Sequence, residues 1–176
     1  MGVVARTGRA VVVMLQGTRD APGFAARREI ELTGAGLPAQ PYHAAAGLDR
    51  AAAGKLIGQA ERGAAETAAA GLRDLMASLP VPPCVSGVAV AVKAVAIPDS
   101  VEDVLRSHAW MHAAEGVLYR EAVLAAARQC GWTAYAVDVS MLPAADQILA
   151  TLGRAAGRPW RRAEKDAARA ALTLLS

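Results

Sequence analysis

Four side chains capable of acid–base or metal chemistry fall on one line of a helix within Ser107–Arg120 (S-H-A-W-M-H-A-A-E-G-V-L-Y-R): His108, His112, Glu115 and Tyr119. At 100° per residue they share an arc of roughly 60°. Arg106, Arg120, Glu121 and Arg128 gather on the opposite side, while Val104, Met111, Leu118 and Ala122 border the row. The row is therefore expected to face inward, where two imidazoles, a carboxylate and a phenol need partners, because unpaired buried polar groups are costly. His108 and His112 at i, i+4 can share a metal ion, with Glu115 within reach as a further ligand. An imidazole there can titrate near neutrality and act as a base, but no residue is nominated as nucleophile, and the H-E-x-x-H pattern is absent. The same groups can instead line a pocket for a small ligand or anion. They can also hydrogen-bond to strand ends, to Gln16 or to one another, locking helix to sheet. Gly116 beside the row leaves room for backbone or ligand approach.

A second concentration of chemistry is Gly157-Arg158-Pro159-Trp160-Arg161-Arg162, positive charge around one aromatic just before a helix start. Arginine forks and helix-start amides suit phosphate, which makes Arg158, Trp160, Arg161 and Arg162 a candidate anion site. The alternative is a loop anchored by Trp160 in the core with its arginines in water. Trp110 lies on the charged side of its helix, where a second copy of the chain could cover it. His43, in the turn Gln40-Pro41-Tyr42-His43, reads as a surface loop residue.

A length of 176 residues suits one domain spanning 1–176 with a real core. Hydrophobic residues make up 54%, much of it alanine, and the 4% aromatic content argues against a stacking surface for single-stranded nucleic acid. A net charge of +3 and a pI near 9.2 allow a polyanionic partner without demanding one. The longest apolar run, Val85–Ile97, is interrupted by Lys93 and is too short to span a bilayer, so no membrane partner is expected. Arg6 and Arg9 precede a short apolar stretch, but Gly17-Thr18-Arg19-Asp20 is a turn rather than a leader cleavage site. Cys84 and Cys130 are too few for a zinc ribbon or a disulfide framework. These features predict a reduced, cytoplasmic protein.

The elements that must position the candidate residues follow from periodicity. Arg9–Gln16 is a β-branched run ending at Gly17, and Phe24–Leu32 pairs with it as a hairpin across the Asp20/Pro22/Gly23 turn. Gln40–Ala45 predicts a short third strand. Leu48–Leu79 has helical spacing, with Asp49 as N-cap. Gly54, Gly58, Gly63 and Gly71 break this helix or mark close packing, and Pro80–Pro83 ends it. Val85–Ile97 reads as a central strand covered on both faces. Ser100 caps a long helix reaching Gln129, with Gly131 as the residue after its end. Trp132–Val139 is a strand, and Pro143–Leu152 and Arg162–Leu175 are helices. Gln16, Asp138 and the Gln40–His43 turn are expected to meet the polar row beyond the carboxyl ends of the strands.

This order, a hairpin meander followed by αβαβα on a mixed sheet, resembles the α/β fold of the ribonuclease-H-like superfamily. It is most similar to the Holliday-junction-resolvase branch, in which a long helix also follows the fourth strand and an alanine-rich helix closes the chain. The likeness lies in the order and length of elements over nearly the whole chain. It implies acidic residues on the first strand, the end of the fourth strand and the last helix, holding two divalent metals at a phosphodiester. The run read as the first strand offers Val11, Val13, Met14, Leu15 and Gln16. The fourth offers Lys93 and no acid before Asp99. Only the last helix supplies a candidate, Asp166, which can equally be a flanking charge. A degenerate, pseudo-nuclease centre is therefore expected, in a non-catalytic binding or interaction module whose partner would be nucleic acid gripped at Arg158–Arg162. The alternative is a small-ligand or metal-assisted hydrolytic enzyme on the His108/His112/Glu115 face. No cofactor is demanded; a divalent metal is compatible with that alternative.

Overall fold

Valine-rich runs in β1 (Gly2–Arg6) and β2 (Arg9–Gly17) and the more charged β3 (Pro22–Glu31) build a meander of three consecutive strands. The computed structural model describes residues 1–81 and 83–176; Pro82, in the proline run expected to stop the long helix, lies outside the described residues. β1 and β2 are antiparallel with Val3 opposite Val12, and β2 and β3 are antiparallel with Val13 opposite Arg27. After α1 (Pro41–Ala45) and α2 (Arg50–Ala77), strand β4 (Val88–Val92) returns parallel to β1. Then come α3 (Val101–Leu105), α4 (His108–Gln129) and β5 (Ala134–Asp138), which is parallel to β4. A 3-10 turn at Val139–Met141 leads to α5 (Asp146–Ala156) and α6 (Arg162–Leu172). The sheet order is β3-β2-β1-β4-β5. Among the described residues no helix is long and apolar enough to cross a membrane.

Several expectations need correction. The strand at Arg9–Gly17 is the second, not the first: Gly2–Arg6 precedes it across a two-residue turn in which Gly8 takes φ 73°. Gln40–Ala45 is not a strand but the helix α1, with Pro41 at a first-turn position where its missing N–H costs nothing. The helix expected from Ser100 to Gln129 is two helices. Ser100 caps α3 by accepting from the Asp103 N–H, and Ser107 caps α4 by accepting from the Trp110 N–H. The central strand is shorter than the apolar run that encodes it, since Lys93–Ile97 leave the sheet. In contrast, α2 runs unbroken from its Asp49 cap. None of its glycines breaks it, and two mark close packing: Gly63 lies against Gly34, and a Cβ on Gly71 would sit 3.0 Å from that of Ile30, while Gly54 faces open space.

Alternation along the strands makes two cores. Val3, Val12, Met14, Val88 and Val90 face α2 and α4, whose contact is lined by Ala60, Ala64, Ala68, Ala114, Ala122 and Ala126. Val11 and Val13 face α5 and α6 through Leu149, Leu152, Ala163, Ala167 and Ala168. A Cβ on Gly87, just before β4, would touch Leu174, and one on Gly2 would strike Ala167. The second half of α6 therefore packs on the amino ends of β1 and β4. The start of α4 lies toward the carboxyl end of β4 on the other face, because the chain arrives there directly from β4.

Candidate functional site

The polar row of α4 closes on α1. Glu115 is 1% exposed, and its Oε1 accepts both His43 Nδ1–H at 2.8 Å and the His43 backbone N–H at 3.3 Å. His43 Nε2 lies 3.1 Å from His108 Nδ1, and His108 Nε2 lies 3.1 Å from His112 Nε2. Ring centroids of the three imidazoles are 4.4 to 4.9 Å apart. The other carboxylate oxygen, Glu115 Oε2, is buried without a hydrogen-bond partner among the described residues, 3.8 Å from His112 Nδ1. One turn further along, the Tyr119 hydroxyl donates to the Ala39 carbonyl at 2.7 Å. Burial pushes the Tyr119 phenol above its usual pKa, and the nearby charge of Glu115 adds to the effect. The row thus splits along the helix axis. Glu115 and Tyr119 are packed shut and fasten the segment before α2, whereas His108 and His112 are exposed at the helix start. An apolar groove of about 270 Å³, lined by Tyr42, Ile97, Val117 and Leu118, runs beside the row rather than under it.

His43 is the member the sequence reading misplaced. It is not a free loop residue but the link between Glu115 and His108. Two expected members do not join. Gln16 pairs with Gly23 at the end of β2 remote from the Gly8 turn, roughly 24 Å from Arg9 at strand rise. Asp166 lies under the opposite face of the sheet, where its carboxylate is 3.5 Å from Arg162 Nε. Asp138 caps its own 3-10 turn by accepting from Ser140, whose hydrogen bonds hold its carboxyl below the usual range. Of the convergence expected beyond the strand ends, the Gln40–His43 turn alone arrives.

The Arg158–Arg162 segment is braced from behind. The Arg27 guanidinium donates to the carbonyls of Gly157, Arg158 and Pro159. Trp160 stands edge-on to Phe24, with centroids 6.4 Å apart, and its ring fills the space over Gly153. The ring is thus an anchor and not a free stacking surface. Glu164, buried on the first turn of α6, accepts the Arg161 backbone N–H at 2.9 Å. That carboxylate already takes a helix-start donor, so an incoming anion would be met mainly by the exposed side chains of Arg158, Arg161 and Arg162. Lys165 adds to the same exposed surface, while Arg6 ends β1 and Lys93 directly follows β4.

Neither β1 (Gly2–Arg6) nor β4 (Val88–Val92) carries an acidic residue, so Asp166 has no carboxylate opposite it on either strand. No protein-family model matches the chain, and no curated protein does. Among solved structures, T. thermophilus RuvC in complex with Holliday junction substrate is similar, with a TM-score of 0.56 at 14% identity over 98% of this chain and 88% of that one. A second structure of Thermus thermophilus RuvC gives a TM-score of 0.50 at 18% identity, over 98% of this chain and 90% of that one. Identity this low speaks for fold alone. With its mixed five-stranded sheet and helices on both faces, the chain has a ribonuclease-H-like fold similar to that of these two structures.

Proposed function

We propose that this chain is a non-catalytic nucleic-acid-binding module whose ribonuclease-H-like centre has exchanged carboxylates for basic groups. One observation carries the reading: β1 ends on Arg6, Lys93 directly follows β4, and the start of α6 presents Arg161, Arg162 and Lys165 to solvent beside Asp166. A two-metal centre needs several acidic ligands to hold divalent ions at a scissile phosphate. A cationic surface holds the phosphate backbone without cutting it. The fold shared with a protein solved on a Holliday junction makes double-stranded and four-way-branched DNA the first probes to use.

On immobilised duplex or junction DNA, the chain is expected to be retained at low salt and released as salt rises. Replacing Arg161 and Arg162 together by alanine removes two phosphate-directed charges, and should flatten the logarithmic salt dependence by about 2 and weaken binding by an order of magnitude. Absence of retention at low salt overturns the proposal. An unchanged salt slope in the double variant moves the surface elsewhere. With Mg²⁺ or Mn²⁺ supplied, the same DNA is expected to remain intact on a denaturing gel. Metal-dependent cleavage that survives repurification and disappears in Asp166→Asn would show that the centre is still catalytic.

A further inference from the structure

The buried carboxylate of Glu115 has no lysine or arginine within 4.0 Å among the described residues; its ion-pair neighbours are His43 and His112. Proton bookkeeping through the cluster then meets a conflict. With His43 Nδ1–H given to Glu115, His43 Nε2 is an acceptor, so His108 Nδ1 must donate to it. His108 Nε2 then accepts from His112 Nε2–H, leaving the His112 Nδ1 lone pair aimed at Glu115 Oε2, the oxygen without a partner. With all three rings neutral, two acceptors thus face each other across 3.8 Å beside the buried Glu115 charge.

A cation at the centre of the three rings removes both problems. We propose that His43, His108 and His112 bind a zinc-class divalent ion through ring nitrogens, with Glu115 as the outer carboxylate that orients His43 and His112. An ion on Nε2 of His43 and of His112 leaves the proton of each ring on Nδ1, and those two N–H groups face the two oxygens of one carboxylate. This is the carboxylate–histidine–metal arrangement that fixes ring orientation and raises ligand basicity. One ligand nitrogen from each ring already lies within 4.8 Å of the others. Tetrahedral zinc, with Zn–N of about 2.0–2.1 Å, needs them roughly 3.3 Å apart, a contraction that the exposed rings of His108 and His112 can supply by turning. Imidazole donors favour Zn²⁺, Co²⁺ or Ni²⁺ over Mg²⁺ or Ca²⁺, which prefer oxygen. The fourth position opens to solvent and takes water. The ion would fasten α1 to the start of α4, joining positions 65 residues apart in sequence.

The test uses the full chain, prepared without a polyhistidine tag and stripped of metal, titrated with Zn²⁺ by calorimetry and with Co²⁺ by visible absorption. A single ion per chain and a tetrahedral cobalt spectrum are expected, with no competition from excess Mg²⁺. His43→Ala and His112→Ala should each weaken binding at least tenfold, and Glu115→Gln by about 10–100-fold, as loss of an outer carboxylate does elsewhere. His112 is half exposed, so its replacement leaves the fold intact, as the far-ultraviolet dichroism of each variant checks. No zinc binding overturns the proposal. So does wild-type affinity in His43→Ala, which would reduce the site to an i, i+4 pair, or in Glu115→Gln, which would remove the role given to the carboxylate. None of these readouts involves DNA, so this site and the basic surface stand or fall separately.

Discussion

Gly2→Ala is expected to destabilise the protein by about 3 kcal/mol or more, above the usual range for adding a methyl group to a packed interior. A Cβ built at Gly2 lies 1.8 Å from the Ala167 carbonyl oxygen, 2.6 Å from the Ala171 nitrogen and 2.8 Å from the Ala167 carbonyl carbon. All three are backbone atoms of α6, so no rotamer change relieves the contact. The helix approaches this closely because the face it turns to the sheet is Ala163, Ala167, Ala170 and Ala171, each nearly or fully buried. Glycine in a strand marks such an approach. For a chain of this size the loss corresponds to a fall in Tm of roughly 6–12 °C. Truncating the facing side chains should not restore it: Gly2→Ala combined with Ala167→Gly is expected to be no more stable than Gly2→Ala alone. Rescue by Ala167→Gly, or a loss below about 1 kcal/mol in urea unfolding, would show that α6 sits further from β1 than described.

How much of this was legible from the sequence depended on how local each signal is. The caps at Asp49 and Ser100 and the helix end at Gly131 were readable because each is decided within four residues, by a side-chain acceptor or a positive φ. The hairpin of β2 and β3 was readable from one β-branched run, a turn and a following segment with one wet face. β1 was not, since a five-residue segment of glycine, two valines, alanine and arginine acquires strand character only by pairing with β2 on one side and β4 on the other. Gln40–Ala45 misled because six residues are too few to separate a helical period from alternation, although Tyr42 and Ala45 are buried at a helical i, i+3 spacing.

The site was half legible for a related reason. Angular arithmetic placed His108, His112, Glu115 and Tyr119 on one line, and they share it. Angle says nothing of position along the axis, however. Two members of the line, on the first turns of α4, are exposed, while the two below are buried. His43 carried no periodic signal, being 65 residues from His108. The usable clue was chemical: a buried Glu115 demanded a donor, and Pro41-Tyr42-His43 was the nearest polar turn already suspected of converging. The missing acids, by contrast, were visible at once. Moving the first strand from Arg9–Gly17 to Gly2–Arg6 left that conclusion unchanged, since neither segment holds a carboxylate.

Leu72→Ala is expected to produce the largest loss among simple truncations, about 3–4 kcal/mol, in the upper part of the range for buried leucines. Leu72 is 0% exposed on the inner line of α2, which otherwise runs Ala53, Ile57, Ala60, Ala64, Ala68 and Leu75. A core built on alanine has little apolar area per residue, so each large side chain carries a disproportionate share of the burial. It also relaxes poorly. The alanines at 60, 64 and 68 hold α2 against its neighbours through short, stiff contacts, and Gly63 and Gly71 fix it against Gly34 and Ile30. With α2 held in place by these contacts, the cavity is expected to stay open and its cost to be retained. Urea unfolding should show a lower midpoint with an unchanged slope, because the area exposed on unfolding barely alters. Leu56→Ala, on the same helix but half-buried, serves as the internal comparison and should lose only about 1 kcal/mol. If the two truncations cost the same, α2 adjusts around Leu72, and the rigidity ascribed here to its alanine and glycine contacts is wrong.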